Sequence, residues 1–407
     1  LVGSEMCIRD RLNEVMIRLA NEKLCTACGA CVERCPKNCI SMEERQIGGC
    51  FPLINKNECI ECHSCERVCP ILNLPNFEEN ICAYAAWNTD VRQRATSASG
   101  GIAYAIYERA VLHGYACVGA SFNPDFTVTH KVVVDQESIS LFKNSKYVFS
   151  NAYDAFSKVK QLLSVKQNVV FIGLPCQVAA FRNLFPNSVN LLLVDIVCHG
   201  SVPVSYLKQH IKFLEQKLKE KAEKIYFRDP VLGTSTYHFS LYNKRGECFY
   251  SKRTCDGDLY NYAFHKMVAY RENCYHCHFA RPERLSDITL GDFHGNGNME
   301  EWNDSKDNVS LIITHTEKGE QWVKRMVEEG LIKVEQRPLE EPIKGDRQLR
   351  EPSVKTQLRF DFEKLMLKNN ADFEKVMKDV IELDEKRWKW IGRKDKIKRI
   401  IKHIIGK

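Results

Sequence analysis

The chain has 407 residues, 44% of them apolar and 27% charged, with a net charge of +7 and nineteen cysteines. That length exceeds one ordinary core and points to two or three domains, and that apolar content excludes an intrinsically disordered chain. No apolar run is long enough to span a bilayer and no hydrophobic signal core precedes the first cysteines, so the cysteines read as metal or cluster ligands in a reducing compartment, not as a disulfide framework.

Leu1–Arg11, reading LVGSEMCIRDR, back-translates to a transposase-type sequencing adapter in frame. It is read as an assembly artefact, which sets Cys7 aside and makes Met16 the expected natural start. Two copies of one motif follow. Cys25, Cys28, Cys31 and Cys35-Pro36 form C-x2-C-x2-C-x3-C-P, and Cys59, Cys62, Cys65 and Cys69-Pro70 repeat it 34 residues later. Three thiolates of such a loop grip one cubane while the fourth crosses to the other. Cluster one is therefore expected on Cys25, Cys28, Cys31 and Cys69, and cluster two on Cys59, Cys62, Cys65 and Cys35. Zinc loops rarely show this duplicated pattern. The stretch from about residue 20 to 75 resembles a bacterial two-cluster 4Fe–4S ferredoxin. Cys39 and Cys50 fall out of register and read as packing residues.

Beyond residue 80, short apolar runs alternate with helical periodicity, the pattern of an α/β or α+β body. ICAYAAW reads as a strand, and SASGGIAYAIYERAVLHG as a loop, a glycine pair and a helix closed by Gly114. YACVGASF and TVTHKVVV flank a turn and read as a hairpin. NVVFIG and NLLLVDIV are continuous apolar runs, as strands covered on both faces are. The first leads into Cys176 and the second into Cys198, so both cysteines are expected at the carboxyl ends of sheet strands, where open α/β sheets gather ligands. Cys274 and Cys277, in CYHC, bring the count of thiolates to four. Spacing alone leaves three readings open: a third 4Fe–4S cluster, a four-thiolate zinc site, or unrelated buried cysteines. Cys255, His276 and His278 are rival ligands. Cys82, Cys117 and Cys248 fall in strand-like runs and read as core residues.

Ser97 to about Gly295 is similar to the beta subunit of the coenzyme F-420 (deazaflavin) hydrogenase/dehydrogenase family, which also includes a plant chlorophyll-cycle reductase. The resemblance rests on SASGGIAYAIYERAVLHG, KNSKYVFSN, FIGLPCQVAAFR, LLVDIVCHG and CYHCHFARPERLSDITLGDF, in that order along the chain. It implies one 4Fe–4S cluster beside an FAD that exchanges hydride with a substrate, and puts the cluster on Cys176, Cys198, Cys274 and Cys277. Flavin contacts are expected from Ser99, Gly100 and Gly101 at a helix start, from Lys146, from Gln177 and His199 beside cluster cysteines, and from Asp292. Asp287 is expected to order its loop. Two departures, His294 where many relatives carry Trp and Leu174 where many carry Thr, leave the substrate open.

The expected fold is α+β: a ferredoxin domain over 16–78, an α/β flavin and iron–sulfur domain in two parts over 79–165 and 166–345, and a helical basic tail over 346–407. The expected function is an iron–sulfur flavoprotein oxidoreductase taking electrons from ferredoxin or another redox protein, through the clusters to FAD and a small-molecule substrate. The alternatives are a non-catalytic electron-transfer subunit of a larger redox complex, or a ferredoxin fused to a zinc scaffold. A cytoplasmic location is expected.

The last twenty-two residues, Lys386–Lys407, carry ten Lys or Arg and one Asp, so the chain before them is slightly acidic and no nucleic-acid surface is implied. Ile397, Ile400, Ile401, Ile404 and Ile405 follow helical spacing among the basic residues. Such a helix lies on an anionic membrane surface, at the inner face of the cell membrane, or docks on protein. If it meets lipid, the protein binds anionic vesicles more weakly as salt rises, and truncation after Glu385 abolishes binding while leaving the iron–sulfur spectrum unchanged. Loss of solubility or of clusters on truncation would assign the helix to the protein's own core.

Overall fold

The computed structural model describes residues 17–45, 47–186, 188–294 and 308–405, with side chains up to residue 389. Leu1–Arg11 and Met16 lie outside the described residues, and the side chains of the Ile397–Ile405 stripe lie outside the described side chains.

The two cysteine motifs fold alike. Each passes through left-handed backbone at matching positions, Ala27 and Gly29 in the first, Glu61 and His63 in the second. Each then enters a one-turn helix, Ala30–Arg34 or Ser64–Val68, and leaves it at an extended cysteine, Cys35 or Cys69. The following proline enforces that exit, because it disfavours helical geometry in the residue before it. Between the motifs, Ile40–Arg45 pairs antiparallel with Gly49–Ile54.

The body is built on a nine-stranded mixed sheet. Its centre is parallel: Ala116–Phe122, Val169–Gly173, Leu191–Ile196 and Ile288–Asp292 lie side by side, with Val169 opposite Leu191 and Ile288 opposite Val194. Ser310–Thr314, Cys82–Asn88 and Ile332–Arg337 extend one edge antiparallel, and Val128–Val133 returns antiparallel on the other, followed by Ser150–Asn151. The buried runs Val169–Gly173 and Leu191–Ile196 need apolar side chains on both faces because helices cover both. Ile102–Leu112 and Glu317–Glu328 pack one face through Ile102, Ile106, Trp322 and Met326. Phe156–Ser164 and Pro175–Leu184 pack the other through Phe156 and Phe181. Residues 79–165 and 166–345 thus interleave as neighbours in one sheet.

Ala30 and Val68, from the two cysteine-motif helices, join that second core beside Phe156, Phe171 and Phe181. Gly29 is pressed so closely on Tyr153 that a Cβ there would lie 2.3 Å from the tyrosine's own. The cysteine-rich segment is therefore docked on the sheet's helical layer.

A third core joins the helix Val204–Leu218, a three-stranded antiparallel sheet and the C-terminal helices Gln357–Lys368 and Phe373–Ile405. Phe362, Met366, Phe373, Val376, Met377 and Val380 are core residues, because their spacing puts them on faces turned to the helix Val204–Leu218. The last helix leaves the core only afterwards, with Trp388 66% exposed. Among the described residues no helix is long and apolar enough to cross a membrane. The cysteines expected in strands are there, yet only Cys117 is buried; Cys82 is half-buried and Cys248 is exposed, because its strand, Cys248–Lys252, is the edge of the small sheet.

His210 clamps this third core. Its Nε2 lies 3.0 Å from Asp258 Oδ2, its Nδ1 contacts Glu374 Oε1, and the Tyr250 hydroxyl donates to Asp258 at 3.0 Å. Burial opposes its charge, but the Asp258 and Glu374 carboxylates outweigh it and push the imidazole pKa up to about 9. A raised folded-state pKa stabilises fully below the unfolded value near 6.5 and is lost as pH rises through 9, a contribution of about 3 kcal/mol. His210→Gln removes this contribution. The variant melts lower than wild type at pH 6.5, and its melting temperature changes less between pH 6.5 and 9.5, as read by scanning fluorimetry.

Candidate iron–sulfur centres

The first motif wraps Cys25, Cys28 and Cys31 into one turn, with the Ala27 amide donating to Cys25 Sγ at 3.4 Å. Cys69 of the second motif sits close enough to act electrostatically on all three. Cys35 of the first motif lines a pocket with Cys59, Cys62 and Cys65 of the second. The fourth cysteine of each motif thus crosses to the other's loop. Burial, with the Cys69 and Cys25 thiolates behind it, pushes the Cys28 pKa up to about 12. Four ionised thiols this close need a compensating cation, which the iron core of a cubane supplies. Cys39 packs, as expected, but packs in the second pocket with its sulfur 3.4 Å from that of Cys35. Cys50 is half-buried on the hairpin.

A third set of thiols gathers at the carboxyl edge of the parallel strands. Cys176 opens the helix Pro175–Leu184 directly after the strand Val169–Gly173, and Cys198 follows the strand Leu191–Ile196. Parallel neighbours end on the same side, so the two cysteines emerge together. Cys274 and Cys277 come from the turn Glu272–His276 and its end, where Ser201 N donates to Cys274 Sγ at 3.4 Å. All four line one pocket, and Cys28 lines it with them. Burial pushes Cys176 and Cys198 well up and Cys277 up to about 11, and the neighbouring thiolates add to each shift. The rival ligands stay outside: Cys255, His276 and His278 are all exposed, and His276 pairs with Glu272 at 3.3 Å. Among the described residues no three His, Cys, Asp or Glu side chains are gathered closely enough to bind a single ion. A cubane is larger than one zinc ion and holds its thiolates further apart.

Two arginines complete this wall. Arg271 and Arg284 are each 2% exposed. Arg271 donates to the carbonyls of Thr26 (2.8 Å), Cys25 (3.4 Å) and Cys50 (3.2 Å), and Arg284 to that of Phe279 (2.9 Å). Yet Nε of Arg271 and both Nε and Nη2 of Arg284 find no acceptor. Buried guanidinium hydrogens left over beside four thiols suit an anionic cluster, whose charge and sulfurs would satisfy them. Spacing drew attention to the cysteines and missed these arginines, although R-x2-C-x2-C-x6-R brackets the pair.

The residues expected to touch flavin are almost all engaged by the protein itself. A Cβ on Gly100 would lie 2.5 Å from the Ala86 carbonyl and 2.8 Å from Ser310 N, so the sheet backbone is what demands glycine there. Gly101 caps the helix with φ of 83°, and Ser99 Oγ donates to Val309 O at 3.0 Å. Lys146 gives its ammonium to the carbonyls of Phe142, Lys143 and Asn144 at 3.0 to 3.3 Å, and burial lowers its pKa to about 7. Gln177 accepts from Leu174 N and donates to Ser150 O at 2.9 Å, fixing the turn that presents Cys176. Asp292 is held by the Arg228 guanidinium. Gln177 and His199 both line the cysteine pocket, His199 with its side chain about half exposed. Asp287 orders its loop, accepting from Leu193 N and from Thr316 Oγ1, each at 2.8 Å.

Arg228 ties these segments together. Besides Asp292 it donates to Tyr147 Oη at 2.7 Å and to the Ala98 carbonyl, and it lies over the Tyr237 ring at 4.2 Å. The Ser97–Gly101 loop, the Lys146–Tyr147 segment and the end of Ile288–Asp292 therefore converge on one buried cation that the sequence pattern did not single out.

Residues 166–339 match the family model for the C-terminal part of the coenzyme F420 hydrogenase/dehydrogenase beta subunit, and residues 24–72 match a 4Fe–4S dicluster domain. An F(420)H(2) dehydrogenase subunit from Methanosarcina mazei is 22% identical over 336 residues, covering 77% of this chain and 86% of that protein. A ferredoxin of Saccharopolyspora erythraea is 33% identical over 75 residues, or 17% of this chain and 65% of the ferredoxin. Among solved structures, a chain of the F420-reducing [NiFe] hydrogenase complex from Methanosarcina barkeri aligns with a TM-score of 0.45 at 18% identity, covering 77% of this chain and 94% of that one.

Removing Arg228 takes the guanidinium from the half-buried Asp292 and leaves it the Tyr237 hydroxyl at 3.2 Å, while Tyr147 and the Ala98 carbonyl lose their shared donor. Arg228→Met should therefore raise amide hydrogen exchange in residues 97–101 and 143–149 while leaving exchange in the two cysteine motifs unchanged. Unchanged exchange in both loops would mean that the arginine does not hold them.

Proposed function

We propose that this chain, an iron–sulfur relative of the coenzyme F420 hydrogenase/dehydrogenase beta subunits with a dicluster ferredoxin domain at its N-terminus, is an electron-transfer subunit of a larger redox complex. Electrons enter at cluster two, pass to cluster one, and reach a third 4Fe–4S cluster on Cys176, Cys198, Cys274 and Cys277. The observation that carries this reading is the shared pocket: Cys28 of cluster one and the four body cysteines line the same space, so the two centres are neighbours. Cluster two lies beside the surface, where Ile60, next to the ligand Cys59, is 56% exposed and open to a redox partner such as a ferredoxin. Subunits of F420-linked enzymes among the relatives support a partner-bound role.

A second reading keeps the enzyme. The Ser97–Gly101 loop, Tyr147, Tyr237 and Asp292 converge on Arg228 at the carboxyl edge of the parallel strands, the place where α/β sheets bind ligands. An FAD there would couple single electrons from the clusters to hydride exchange with a small-molecule substrate.

Anaerobically purified protein should carry about twelve iron atoms per chain. Cys274→Ala should lose about four of them and leave the ferredoxin pair's spectrum intact. About eight irons, with zinc making up the difference, would refute the third cluster. FAD released on denaturation selects the second reading; a fully iron-loaded protein that neither contains nor takes up FAD selects the first.

A further inference from the structure

Resting on the three-cluster reading, we infer that Arg271 and Arg284 make the third cluster the most easily reduced of the three, so that electrons run downhill from the ferredoxin domain into the body. Reducing an all-cysteine cluster adds one negative charge without adding a ligand, so a buried cation beside it favours the reduced form. Guanidinium stays protonated under these conditions and holds its charge throughout.

The number of buried guanidiniums rises along the path. The pocket of Cys35, Cys59, Cys62 and Cys65 is lined by one basic residue, Lys37, and that one is exposed to water. Arg271 reaches cluster one, since it binds the carbonyls of Cys25 and Thr26 and its charge acts on the Cys25 thiol. The third site has both arginines on its wall, with three nitrogens unpartnered between them. Stacking over Phe149 at 4.6 Å and Phe51 at 5.6 Å keeps Arg271 dry, and dryness keeps its field unscreened. Two carboxylates oppose Arg284: the buried Asp195, with Oδ2 3.8 Å from Nη1, and the solvent-screened Glu283 next to it in the chain.

In the transfer itself, cluster one loses one electron and the third cluster gains it. No proton moves and no bond breaks.

The test is an EPR-monitored potentiometric titration of the full-length protein, with the third cluster's signal assigned as the one missing in Cys274→Ala. Wild type should reduce the third cluster first and cluster two last. Arg284→Met should shift the third midpoint negative and leave the ferredoxin pair unmoved, Arg271→Met should shift both cluster one and the third, and Arg284→Lys should recover most of the loss. A third cluster that reduces after either ferredoxin cluster in wild type overturns the inference, and this arm stands even if a variant fails to fold. Iron-replete Arg284→Met with unmoved midpoints overturns it too. A wild type with only about eight irons refutes the three-cluster reading itself.

Discussion

A single buried guanidinium holds the two parts of this molecule in register. Arg271 is rooted in the body, where its amide donates to Ser201 O and the turn it starts delivers Cys274 and Cys277. Its side chain ends among the carbonyls of Cys25, Thr26 and Cys50 in the ferredoxin domain. A buried cation that has left water must find acceptors, and these three carbonyls belong to the loop that carries cluster one and to the hairpin beside it. The contact between the domains is thus also the contact between two cysteine sites. Apolar packing by Ala30 and Val68 on the Phe156–Phe181 layer provides the area, while Arg271 provides the alignment.

The same electrostatic logic runs through the other buried charges. Arg284 lies behind the third set of cysteines with nitrogens unpartnered, Arg228 has every guanidinium nitrogen bonded and works as a lock, and His210 is held between two carboxylates that push its pKa up. The difference between a lock and a ligand-facing group lies in whether the protein has already satisfied the side chain. By that measure the cysteine pocket keeps donor nitrogens of Arg271 and Arg284 unpartnered on its wall. Around Asp292, Arg228 is bonded to Tyr147 and to the carboxylate, and Tyr237 is bonded to the carboxylate.

Of the side chains expected to touch flavin, Ser99, Lys146, Gln177 and Asp292 have hydrogen-bond partners within the chain. Gly100, Lys146, Gln177 and Asp292 stand out by type and by position beside helix starts and strand ends. Each type has a second use inside a protein: glycine permits close packing, lysine satisfies loop carbonyls, glutamine straps a turn, aspartate pairs with arginine. Those uses depend on partners distant in sequence, such as Ser310 for Gly100 and Arg228 for Asp292, and a local pattern cannot reveal them. The C-terminal tail is a related case, since its charge is visible locally but the partners of Phe373 and Met377 lie on the helix Val204–Leu218.

Sequence by itself determined what is written in spacing. The paired C-x2-C-x2-C-x3-C-P loops specify their backbone because proline and the short separations leave few ways to turn, and the buried strands leading to Cys176 and Cys198 announce themselves as unbroken apolar runs. Parallel strands then oblige those two cysteines to share an edge. Only the tertiary structure decided that Cys274 and Cys277 meet them there, that Cys28 opens onto the same pocket, and that Arg271 and Arg284 close it. Those meetings join residues up to about 250 positions apart, and long-range contacts are set by the packing of whole layers, which no short stretch of sequence contains.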